Sequence, residues 1–95
     1  MENREEKRLA WIGIIVSEQA DAAQLNALLS QWAEDIIGRM GLPHQRDGLS
    51  LISIAMDAPG ERISALSGRL GQLKGVTAKV LYAPQNAGSA YRSGR

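Results

Sequence analysis

Hydrophobic residues recur along this chain in two rhythms. From Arg8 to Val16 the run Arg-Leu-Ala-Trp-Ile-Gly-Ile-Ile-Val is continuous and rich in β-branched residues, the composition of a central strand covered on both faces. Alternate positions divide it into Ala10, Ile12, Ile14 and Val16 on one side and Leu9, Trp11, Gly13 and Ile15 on the other. The rhythm then changes. Asp21 and Gln24 stand at capping-box spacing, and Leu25, Leu28, Leu29 and Trp32 follow at i, i+3, i+4 and i+7, one stripe of an amphipathic helix.

The strand rhythm returns over 35–41 and 49–56, where Ile52, Ile54 and Met56 oppose Leu49, Leu51 and Ala55. Between them, Leu42-Pro43-His44-Gln45-Arg46-Asp47 is bounded by Gly41 and Gly48 and carries a proline, which predicts a loop. Asp57-Ala58-Pro59-Gly60-Glu61 is a helix start with proline suited to the first turn. Ile63, Leu66, Leu70 and Leu73 form that helix's buried stripe, Gly75 ends it, and 76–82 is a fourth strand.

Strand, helix, strand, strand, helix, strand is the split βαβ order of the ferredoxin-like α+β fold, with two helices on one face of a four-stranded antiparallel sheet. The chain divides into an N-terminal arm over 1–7, expected to be mobile, one domain over 8–83, and a small, polar tail over 84–95, expected to be disordered. Helices on one face leave the other open. Trp11, Ile15, Leu49, Leu51 and Leu81 fall there, so a monomer would expose a contiguous apolar patch. The expectation is a homo-oligomer, at minimum a symmetric dimer, that covers the open face or pairs its edge strands.

Composition narrows the function. Ninety-five residues make one small domain with little stability to spare as a monomer. Eleven Lys and Arg against ten Asp and Glu give a net charge of +1, which argues against direct nucleic-acid binding. The chain has no cysteine, so it supplies no thiolate ligand and no thiol nucleophile. No apolar run approaches a membrane span and no signal-peptide pattern opens the chain, so the expected location is the cytoplasm.

Ser64, Gly68 and Gly71 share one side of the second helix. Since an internal Gly costs about 1 kcal/mol relative to Ala, they predict close packing there on the sheet or a partner helix, unless Gly71 already belongs to a fraying end.

The segments 12–16 (Ile-Gly-Ile-Ile-Val), 36–43 (Ile-Ile-Gly-Arg-Met-Gly-Leu-Pro), 48–53 (Gly-Leu-Ser-Leu-Ile-Ser), 57–59 (Asp-Ala-Pro) and 63–76 (Ile-Ser-Ala-Leu-Ser-Gly-Arg-Leu-Gly-Gln-Leu-Lys-Gly-Val) resemble the bacterial iron-only hydrogenase system regulators. The likeness spans 9–82. It implies a ferredoxin-like fold similar to ACT domains and to the C-terminal domain of nickel-responsive repressors, assembled as dimers or tetramers. It carries over no catalytic or ligand residues. The repressors' clustered histidines and cysteine have no counterpart here, where His44 is alone. The turn of residues 17–21 also lacks the glycine that often admits an amino acid to an ACT domain.

What remains is a non-enzymatic regulator with no metal and no cofactor. There is no nucleophile-base signature and no Gly-rich phosphate loop. Two modes of action stay open, a small effector sensed where protomers meet or a protein-interaction module without a ligand. Candidate effector residues are Arg39, His44, Arg46 and Asp47. Arg39 has three readings: an edge charge that blocks aggregation, a partner for a carboxylate such as Asp35, or an anion site between protomers. Ser50 and Ser53 lie on opposite sides of their strand and cannot share a local site.

Overall fold

A computed structural model describes residues 6–84. The elements are β1 (Lys7–Val16), α1 (Ala22–Ser30), a short 3-10 turn (Ala33–Asp35), β2 (Ile36–Arg46), β3 (Leu49–Pro59), α2 (Gly60–Gly71) and β4 (Val76–Tyr82). The sheet order is β2-β3-β1-β4 and every pairing is antiparallel. Two helices cover one face, as the ferredoxin-like α+β order requires. The expected mobile arm over 1–7 and disordered tail over 84–95 fall outside the described residues except at 6, 7 and 84, and of these Lys7 belongs to β1.

The core forms where both helical stripes meet the even-numbered side of β1. Ile12, Ile14, Leu29, Ile54, Met56, Ile63, Leu66 and Leu70 are fully buried, each contributing about 1.5–3 kcal/mol of transfer free energy. Asp21 caps α1 by accepting the Gln24 backbone N–H on Oδ1 at 3.1 Å. The helix stops at Ser30, so Trp32 of the expected stripe lies just beyond it, yet it stays buried. Its indole Nε1 donates to the Arg62 carbonyl at 3.0 Å, and the Arg62 and Arg69 guanidinium groups face its ring. An apolar body with its polar tip satisfied is how a tryptophan is best buried.

Several expected boundaries shift. Helix α2 begins at Gly60 with Pro59 in the capping position and ends at Gly71; Gly75, at φ +78°, instead closes the turn into β4. Its carbonyl accepts the Ser17 N–H at 2.8 Å, and a Cβ added there would sit 2.8 Å from the Ala20 backbone nitrogen. Close packing at Gly68 and Gly71 is not found within the protomer: a Cβ at either would meet nothing within 4 Å.

The larger correction concerns residues 42–46. They are not a loop. β2 continues to Arg46, and the chain reverses at Asp47-Gly48, both at positive φ (+54° and +73°), the backbone that a type I′ hairpin demands. Between the pairs Leu42–Leu51 and Arg46–Leu49, the three residues Pro43, His44 and Gln45 oppose Ser50 alone. This irregular bulge interrupts the ladder, and the His44 backbone N–H donates to Ser50 Oγ at 3.0 Å. β1 is central in the sheet, as expected, but within one protomer only one of its faces is covered.

Candidate functional site

The uncovered sheet face is built by register. Trp11 pairs with Ala55 and Leu81, Gly13 with Ser53 and Lys79, and Ile15 with Leu51 and Thr77. On the far side, Gly38, Met40 and Leu42 pair with Ala55, Ser53 and Leu51. A bulge at Ile37 turns that extra side chain outward as well. The result is a bulky row at Ile37, Trp11 and Leu81, a shallow trough at Gly13 and Ser53, and a second bulky row at Leu42, Leu51 and Ile15.

Eight large hydrophobic side chains are exposed in the described residues, from 41% at Leu51 to 69% at Leu81, and all project on this side. A depression of 540 Å³ opens between Leu9, Trp11, Ile37, Ala55 and Leu81. Of the five residues expected at an interface, Trp11, Ile15, Leu51 and Leu81 are exposed and Leu49 is half-buried.

A second feature lies between α1 and the outer half of β2. There a cleft of 330 Å³ is lined by Val16, Leu25, Leu42 and Ile52, with Asn26, Arg39, His44 and Ser50 as its polar groups. Arg39 shares the helix-side row of β2 with Gly41 but reaches past the core, and its Nη2 donates to Asn26 Oδ1 at 3.0 Å. Gly41 leaves the space beneath open. The hairpin tip leans onto the β1–α1 connection: a Cβ on Gly48 would lie 2.6 Å from Glu18 Cδ.

The structure therefore brings Arg39 and His44 to one cleft and leaves Arg46 and Asp47 at the exposed hairpin, outside its lining. Pairing of Arg39 with Asp35 does not occur. Asp35 Oδ2 instead takes Arg62 Nε at 2.6 Å, tying the 3-10 turn to α2. Ser50 and Ser53 face opposite sides, one into the cleft and the other into the trough. Asn26, Gly41 and Ser50 were not among the candidates read from the sequence.

Among the described residues, no three His, Cys, Asp or Glu side chains come together to hold a metal ion, and no helix is long and apolar enough to cross a membrane.

The family model described as "TM1266-like: Iron-only hydrogenase system regulator, putative" matches residues 8–80. The chain belongs to that family. A solved structure, titled "The structure of uncharacterized protein TM1266 from Thermotoga maritima", aligns with a TM-score of 0.78 at 34% identity. The alignment covers 83% of this chain and 100% of that one. No curated protein matches the chain. The TM1266-like match takes in all of α1, β2, β3 and α2, so both the cleft and most of the open face lie within the family domain.

Proposed function

We propose that this chain is a non-enzymatic regulatory domain of an iron-only hydrogenase system, that it works in the cytoplasm as a homo-oligomer, and that it responds to a small effector beside its protomer interface. The single observation that carries the oligomer is that, among the described residues, all eight exposed large hydrophobics fall on one sheet face. Family membership supplies the regulatory role.

The dimensions favour a second copy as the covering surface. Four strands about 4.8 Å apart and seven residues of about 3.3 Å each give roughly 440 Å² of flat face. Two such faces give about 900 Å² before side-chain relief is added, near the ~1,200 Å² at which stable interfaces begin. Rows two residues apart are about 6.6 Å from one another, so the bulky rows and the Gly13 trough supply the relief that packed sheets interdigitate.

Acrylamide quenching of tryptophan fluorescence tests this. Trp32 is 6% exposed and Trp11 is 54% exposed, so quenching reports mainly on Trp11. Self-association predicts a protected Trp11 at high protein concentration, with quenching that increases on dilution or in a variant that disrupts the face. A Trp11 fully open to quencher at high concentration would contradict it.

A further inference from the structure

The cleft between α1 and β2 has a one-sided chemistry. Its side-chain polar groups are mostly donors: the Arg39 guanidinium, held in place through Asn26; the remaining amide N–H groups of Asn26; the Ser50 hydroxyl hydrogen, since Ser50 Oγ already accepts from the His44 backbone; and the His44 imidazole, which adds one N–H beside one ring acceptor. No carboxylate lines the cleft. Below the rim the walls are apolar, formed by Val16, Leu25 and Ile52, and Gly41 leaves the floor unfilled.

A donor rim with one guanidinium above an apolar floor matches an anion with an apolar body. One planar cation suits one carboxylate, which it can grip with two parallel N–H bonds. With no carboxylate in the lining, no charged acceptor faces an ammonium group, so a zwitterionic amino acid fits less well than a monocarboxylate. At 330 Å³ the space stands at the small end of ligand pockets. We propose that this cleft binds a small apolar monocarboxylate, its carboxylate on Arg39 and its body against Val16, Leu25 and Ile52. The proposal rests on the effector part of the function above and gives that effector a chemical class.

The cleft also touches the self-association surface. Leu42 and Leu51 line it, and both belong to the outer bulky row of the open face. The ligand and a second copy would thus share the Leu42–Leu51 segment from its two sides, so ligand affinity and association become linked, each altering the other by the same factor.

The test is an NMR titration of the full chain with isocaproate, with light scattering on the same samples. Leucine and the alcohol share its branched carbon skeleton and serve as controls. Two variants are used: Arg39→Gln removes the cation, and Gly41→Val fills the floor at a position where a Cβ has room and the backbone is not left-handed.

The expected result is saturable shifts centred on Asn26, Arg39, Gly41 and Ser50, with affinity weakened about tenfold or more in either variant and for leucine and the alcohol. The proposal is overturned by no saturable shift in the millimolar range, by equal affinity for the alcohol, by shifts centred on Trp11 and Leu81, or by unchanged affinity in both variants. Cleft binding by a chain that scatters as a monomer sustains this proposal and removes the oligomer reading. An oligomer without binding does the reverse.

Discussion

Leu81→Glu separates the stability of the protomer from the stability of its assembly. Leu81 lies on edge strand β4 and is 69% exposed in the protomer. Full burial of a leucine is worth about 1.5–3 kcal/mol, so covering the remaining surface contributes about 1–2 kcal/mol per protomer, and twice that in a symmetric dimer. Glutamate removes this term and places a carboxylate at the interface, with Lys79 two residues away on the same face as its nearest cation on β4, and desolvation there costs several kcal/mol per ion. A loss of at least ~4 kcal/mol follows, a weakening of about a thousandfold in the dissociation constant.

Within the protomer the side chain is already largely in water, so the local cost is set by strand preference and stays below about 1 kcal/mol. Sedimentation velocity across a dilution series reads the assembly, and circular dichroism at low temperature reads the fold. The expected outcome is a monomer with an unchanged spectrum. A variant that sediments with the wild-type mass at every concentration would refute the reasoning, because Leu81 would then not be covered.

Leu51→Glu probes β3, inside the sheet, 41% exposed; face-to-face burial predicts dissociation for this variant as well, whereas association through the β4 edge alone would leave its mass unchanged. Gly75→Ala places a Cβ 2.7 Å from Ser17 Oγ and 2.8 Å from Ala20 N at φ +78°. It should cost about 2 kcal/mol or more. At about 4–8 °C per kcal/mol for a domain of this size, thermal melting at fixed concentration should fall by roughly 8 °C or more, and an unchanged melting temperature would rule out the left-handed turn described here.

The parts of the fold that could be read from the chain are those where one face is dry and the other wet. Ile12 and Ile14 opposite Trp11 and Ile15, and the stripe Ile63, Leu66 and Leu70, announce their elements because burial imposes a period. The same alternation exposed the open face, since the residues out of phase with the core were themselves apolar. Residues 42–46 gave no such signal. They are exposed on both sides of an edge strand, and Pro43 and Gln45 sit in a bulge. The Asp47-Gly48 pair was the readable sign of a hairpin.

At the candidate site, Arg39 and His44 stood out as polar residues beside apolar runs. Asn26 and Ser50 did not, because their roles depend on how α1 lies over β2, and on a bulge that sets three residues against one. The glycines of α2 pointed to close packing on energetic grounds alone. Gly68 and Gly71 in fact face open space in the protomer.

The central claim is that this chain covers its open sheet face with another copy of itself. Native mass spectrometry of the full chain tests it most directly, since one spectrum reports subunit number and any retained small molecule. The account predicts a mass that is a multiple of the 10.3 kDa chain. A bare monomer at concentrations where Trp11, Leu51 and Leu81 should be covered would contradict it.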